Sequence, residues 1–296
     1  MKQGSGRDLV FDTFIYIVLT LFMFICIYPF YYIFIYSISD PQQTFKGIYL
    51  LPQGLTFENY MRVLKYKGLL NAFGISASRA VVGSLASLFC CALYAYTLTK
   101  KEMLFRTVIY RLTVASMYIS FGLIPYYLTI RAYGLRNNYL VYILPLTINA
   151  FYVILLKTYI EQLPLELEES AMIDGAGYFK IFTRIILPIS GPIAATIVIF
   201  ASVGQWNSWF DNYMYATDKS LITLQYLLLK ILQESQSLAN TMTTINSSAT
   251  GALPFKLTPE AVKMTITMVV IFPILLVYPF MQKYFVKGIM LGAIKG

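Results

Sequence analysis

The chain has no histidine, three cysteines and two tryptophans among 296 residues, and only 12% of it is charged. Each shortage excludes something. Without histidine, the commonest general base and the commonest metal ligand are missing together. Cys26, Cys90 and Cys91 all lie inside apolar runs, and adjacent Cys90 and Cys91 point different ways on a helix. They read as small buried hydrophobes rather than as a disulfide or a metal set. No glycine-rich phosphate loop, HExxH or GxSxG occurs. The sequence therefore offers no catalytic residue and no metal site, and no cofactor is expected on this chain. Acidic residues are scarce too, 14 against 23 basic ones, for a net charge of +9. That excess most simply reflects anionic lipid head groups beside a membrane. No basic stripe lies outside the apolar runs, so nucleic acid is not an expected partner.

What is abundant is apolar surface: 58% of the residues are hydrophobic, far more than a soluble domain of ordinary composition carries. Six apolar runs, at 13–38, 73–98, 108–130, 139–157, 189–205 and 264–281, each read as a membrane span. The expected fold class is all-α, a polytopic membrane protein with six transmembrane helices. The first run is too long for the core of a signal peptide. In the second, Gly74, Ser76, Ala77, Ser78, Gly83, Ser84, Ala86 and Ser87 allow close helix approach and place it inside a bundle. Arg79, near its outer end, is expected to snorkel to the interface. Pro145 interrupts the fourth run, which carries Asn149 as a candidate pathway residue or an interhelical hydrogen-bonding group. Residues 221–232 are too few for a span and contain Gln225 and Lys230, so they read as a partly buried external helix. The Ser, Thr and Asn-rich tract at 235–250 is expected to be flexible, and Thr258 with Pro259 to open the last helix.

Between the fourth and fifth runs lies EQLPLELEESAMIDGAGYFKIFTRIILPISGP (161–192), the only long acid-bearing island between apolar segments. Glu161, Glu166, Glu168, Glu169 and Asp174 crowd its first half, and Lys180 and Arg184 follow. It reads as helix, turn, helix. Pro164 is placed as a first-turn proline with carboxylates complementing the helix dipole. The turn falls at Gly175 and Gly177, and Tyr178, Phe179, Phe182, Ile185 and Ile186 form an apolar stripe. An amphipathic pair lying on the membrane surface would also fit.

Glu169, Ala171, Gly175, Ile185, Leu187 and Pro188 stand at the spacing of the EAA loop, which resembles that of bacterial binding-protein-dependent ABC importer permeases. Asp174 to Ala176 gives the accompanying DGA, and Ser170 replaces the motif's second small residue, a change that conserves size. LPQGLTFENY (51–60) and the ending VKGIMLGAIKG are similar to the first external loop and the tail of sugar-importer permeases. The resemblance spans nearly the whole chain and is to the six-span permease of class-1 carbohydrate uptake importers of the maltose type, in the oligosaccharide branch. It implies the type I ABC importer transmembrane fold, with residues 1–70 as N-terminal segment, first span and external loop. A permease core at 71–285, with its coupling loop at 161–188, and a cytoplasmic tail at 286–296 complete the expected layout. It also implies partners: a second, longer permease, two ATPase subunits carrying ATP and Mg, an extracytoplasmic solute-binding protein, membrane lipid and an oligosaccharide. Glu169, Ala171, Asp174, Gly175, Leu187 and Pro188 would then couple the chain to the ATPase, although the acids also read as a solvated face.

Gln205, Trp206, Asn207, Trp209, Asp211 and Tyr213 cluster after the fifth run, where aromatic faces beside amides and a carboxylate suit sugar rings. An interfacial aromatic belt or a contact with the binding protein accounts for them as well. The basic residues divide 12 to 11 between the two expected sides, so charge barely orients the chain. The resemblance orients it instead, implying a multi-pass protein of the bacterial cytoplasmic membrane with both termini cytoplasmic. A secondary transporter or channel subunit is the alternative, but it would usually carry ionisable groups at mid-membrane, and only Arg79 and Arg111 come close.

Overall fold

The computed structural model describes residues 6–41, 43–44, 50–119, 121–246 and 259–293. Thr258, the end of the 235–250 tract and the last three residues of the tail lie outside them. The described chain is all-α, as expected, with one isolated bridge between Ser39 and Leu55. Its helices are α1 (Gly6–Ser37), α2 (Glu58–Leu64), α3 (Leu69–Thr99), α4 (Arg106–Ser116), α5 (Leu123–Ala132), α6 (Ala150–Ile160) and α7 (Glu166–Ile173). There follow α8 (Tyr178–Ile181), α9 (Leu187–Ile189), α10 (Gly191–Asn207), α11 (Phe210–Tyr215), α12 (Leu224–Asn246) and α13 (Pro259–Ala293).

The chain divides into two compact units, residues 1–67 with 230–272 and residues 68–229 with 273–296. In the first, apolar side chains of α1 from Val10 to Phe30 are exposed, which suits hydrocarbon rather than water. The end of α1 is pinned. Ile35 and Tyr36 pack on Ala261 of α13, the Asn59 amide donates to the Ser37 and Ser39 carbonyls at 3.1 and 3.0 Å, and Ser37 Oγ meets the Tyr60 hydroxyl at 2.7 Å. Burial raises the Tyr60 phenol above its ordinary value, which keeps it a neutral hydrogen-bonding group.

The second unit is built on α3. Its small residues Ser76, Gly83, Ser84 and Ser87 are buried, as the sequence predicts, and they let α3 pack along both α10 and α6. One core joins Ala92, Ala95, Tyr96 and Leu98 of α3 to Val153 and Leu156 of α6 and Ile193 and Ile197 of α10. A second, at the other end of α3, holds Ile130, Val141, Tyr142, Tyr215 and Ala216.

Several expected spans are interrupted, and the count of six is not what the described residues display. Three helical stretches are long and apolar enough to cross a membrane: Val10–Ser37, Leu69–Thr99 and Glu260–Pro279. Two more arise if bent pairs each count once, Tyr139–Leu146 with Ala150–Ile160 at 48° and Tyr178–Ile189 with Gly191–Asn207 at 83°. The third apolar run is split into α4, which ends at Ser116, and α5, which starts after Gly122 at φ +76°. From Leu224 on, the segment at 221–232 is the start of a longer helix: α12 runs on into the Ser and Thr-rich tract as far as Asn246. Likewise α13 continues past Pro273 and Pro279 to Ala293, into the segment expected as a tail from 286.

Candidate functional site

Both regions singled out in the sequence lie in the second unit, one at each end of α3. At the elbow, Pro164 sits just ahead of α7 rather than in its first turn, and Glu166, Glu168 and Glu169 occupy that turn, where the positive end of the dipole favours them. The helix stops in a two-bond turn: Gly175 N–H donates to the Met172 carbonyl at 3.0 Å and Ala176 N–H to the Ala171 carbonyl at 2.9 Å. That closure needs a left-handed residue, and Gly175 supplies it at φ +76°.

The two faces of α7 do different things. Inward, Ala171 is buried against the core that holds Ile181, Phe182 and Ile186, and Leu187 packs on the same core. Glu168, on the same face one turn earlier, pairs with Lys100 at the end of α3 and accepts a hydrogen bond from the Tyr96 hydroxyl at 3.3 Å. Outward, Glu169, Asp174 and Pro188 are exposed, and so are Leu165 at 68% and Ile173 at 87%. So Ala171 serves the chain's own packing, while the outward surface mixes acids with large apolar side chains. Arg106 and Lys157 both reach Glu161, at 3.2 and 2.7 Å, and tie the start of the elbow to α4 and α6. Beyond α8 the chain makes a π-turn, Phe182–Ile186, then α9, then the 83° bend into α10.

At the other end of α3, Arg79 is fully buried rather than snorkelling. Its Nε donates to Gln205 Oε1 at 3.0 Å, its Nη1 donates to the Ser208 carbonyl at 3.3 Å and to Asp211 Oδ1 at 3.2 Å, and its Nη2 pairs with Asp211 Oδ2. The guanidinium also lies over the Tyr142 ring, 4.4 Å from its centroid. A buried charge is tolerable only when so surrounded. Gln205 completes the set by donating from Nε2 to the Tyr142 carbonyl at 3.0 Å.

The predicted contact residues therefore separate. Gln205 is buried and committed to Arg79 and Tyr142, and Trp206 is buried with its ring edge-on to Phe73 at 5.8 Å. Asn207 accepts from Gln225 at 3.2 Å on the surface, and Trp209 is exposed beside Phe210 and Tyr213. Asn149 is elsewhere: it caps α6, its Oδ1 accepting from Phe151 N–H at 2.9 Å and Tyr152 N–H at 3.4 Å. Asp211 alone of this group lines a cavity of about 410 Å³, with Tyr126, Ser208, Phe210 and Tyr215 among its walls. Burial, with Tyr126 and Asp211 nearby, raises the Tyr215 phenol, so that wall offers a neutral hydroxyl. Sequence reasoning named Arg79 but placed it at the interface, and it missed Tyr126, Phe210 and Tyr215. An arginine inside an apolar run was the one available signal.

Among solved structures, the fold is similar to a chain in the crystal structure of a bacterial ABC transporter involved in the import of the acidic polysaccharide alginate. The TM-score is 0.84 at 28% identity, covering 96% of this chain and all of that one. The architecture is thus that of a membrane-embedded ABC importer permease. No protein-family model matches. The chain is 35% identical to the polygalacturonan/rhamnogalacturonan transport system permease of Bacillus subtilis, over 98% of this chain and 100% of that protein. It is 36% identical to the protein LplC of the same organism, over 92% and 90% of the two chains. The chain belongs to the permease subunits of carbohydrate ABC import systems.

Proposed function

We propose that this chain is half of a translocation path that carries an oligosaccharide or polysaccharide-derived sugar through the cytoplasmic membrane by alternating access, with both termini cytoplasmic. The other half is a second, longer permease. An extracytoplasmic binding protein delivers the sugar, and two separate ATPase subunits, carrying ATP and Mg, supply the energy. The observation that carries this reading is the outward surface of α7, where Glu169 of the EAA spacing and Asp174 of its DGA are exposed together with Leu165 and Ile173. Large apolar side chains rimmed by charge mark a contact surface. In this reading Glu169 and Asp174 anchor the ATPase, Gly175 shapes the turn that presents them, and Ala171, Leu187 and Pro188 join the elbow to the bundle.

On the sugar side, Asp211 and the rings of Tyr126, Phe210 and Tyr215 supply what a sugar ring needs: an acceptor for hydroxyls and flat faces for C–H groups. Trp209 and Asn207, exposed at chain positions flanking Ser208, are assigned to the same ligand or to the binding protein that brings it. Gln205 and Trp206 shape that wall from behind.

The test is Gly175→Asp in the assembled complex reconstituted in lipid vesicles. It puts a Cβ and a charge where φ is +76°. Insertion and subunit assembly should be retained, and sugar uptake coupled to ATP hydrolysis should be lost. Uptake and hydrolysis at the unmutated level would remove the docking role from α7.

A further inference from the structure

Neither Lys100 nor Glu168 belongs to the spaced motif of the elbow, yet they meet where three elements converge. Lys100 caps the C-terminus of α3, Glu168 faces inward from α7, and Tyr178 opens α8. The Lys100 ammonium pairs with Glu168, lies 4.0 Å from the centroid of the Tyr96 ring and 5.8 Å from that of Tyr178. Tyr96 donates its hydroxyl to the same carboxylate at 3.3 Å and rests on Phe182 with ring centroids 5.5 Å apart. The two charged side chains are only 18% and 12% exposed, so salt and water screen the pair little. Among the described residues it is the one ion pair that joins α7 to another helix.

We propose that Lys100 and Glu168 form a strut that passes movement of α7 directly to α3. This rests on the reading of α7 as the ATPase-docking helix. The covalent route from α7 into the bundle is poorly suited to carry a push. It runs through Gly175 in a left-handed turn, through the π-turn at Phe182–Ile186 and round an 83° bend at Ser190. Each is a place where backbone angles can give. The strut bypasses all three and ends on α3, which packs along α6 and α10, so displacing its end displaces that packed group. Lys100 and Glu168 are positioning residues: they touch neither sugar nor nucleotide.

The experiment uses the assembled importer in vesicles, in a background where Cys26, Cys90 and Cys91 are replaced. A reporter cysteine is placed at Gly74 on the far half of α3, where an added Cβ meets nothing within 4 Å. Maleimide labelling of the reporter is compared before and after the ATPases are trapped with ATP, Mg and vanadate, so no sugar is needed. Trapping should change the labelling rate in the parent. In Lys100→Met and Glu168→Gln, trapped nucleotide should reach the parent amount while the change in labelling is lost. Lys100→Arg should keep it, and the exchanged pair Lys100→Glu with Glu168→Lys should restore it. A response in both single variants equal to the parent's overturns the strut. If a single variant fails to assemble, the exchanged pair decides: assembly without a labelling response also overturns it. Gly175→Asp separates the two ideas. Should it leave the response intact, the docking role of α7 is lost, whereas a response lost in Gly175→Asp but kept in the strut variants removes the strut alone.

Discussion

Arg79 shows how much one residue can be asked to hold. Its guanidinium gives up water entirely and recovers contacts from Gln205, the Ser208 carbonyl, Asp211 and the Tyr142 ring. Removing it strands the Asp211 carboxylate beside a cavity, and breaking such a pair costs roughly 3–5 kcal/mol. Arg79→Ala should therefore lower the thermal unfolding midpoint of the purified complex strongly, and Arg79→Lys should recover little, because a point charge cannot reproduce the planar fork. A midpoint within a degree or so of the parent would contradict this assignment. The pair was not legible in advance because Arg79 and Asp211 are 132 residues apart, and no local spacing announces such a partner. Asp211 was picked out for its aromatic neighbours. That left Arg79 to be read by its place in the span alone.

At the scale of helices, the tight seam between α3 and α10 is the feature most exposed to substitution. A Cβ at Gly83 would lie 2.7 Å from Gln205 Nε2, and that amide cannot swing away without releasing Arg79 or the Tyr142 carbonyl. Gly83→Ala should thus destabilise by about 1–3 kcal/mol, the usual cost of overpacking. Gly74→Ala, in open space on the same helix, should be neutral or slightly stabilising, and equal effects of the two on the unfolding midpoint would argue against the seam. This seam was legible: the small residues of the second run announced it. The interruptions were less so. Counting apolar residues carries the third run straight across the break between Ser116 and Leu123, where Gly122 takes a positive φ just ahead of α5. Composition likewise missed that the Ser and Thr-rich tract is helical as far as Asn246, since weak helix formers still continue a helix that is already nucleated. At the elbow, the turn glycine and the acid-rich first turn were read from sequence. The partition of α7 into inward and outward faces needed the position of Lys100, far away in the chain.

For the molecule as a whole, the proposed docking role of the elbow predicts its sidedness and charge does not, because basic residues divide almost evenly, 12 against 11. Asp174 is exposed beside α7, and Thr217 is exposed beside Asn137 at the opposite end of the second unit. With native cysteines replaced, Thr217→Cys should react with a membrane-impermeant maleimide in intact cells, and Asp174→Cys only after the membrane is opened. The reverse pattern would place the elbow outside, where no ATPase could reach it.

The division of α7 has a further result. The side chains it turns away from the bundle, Leu165, Glu169 and Ile173 among them, contribute little to the fold that carries them. The permease's own packing places no demand on them. On the docking role proposed for α7, a permease of this kind could be rematched to a different energy-supplying subunit by editing a few exposed positions, with its own interior left untouched.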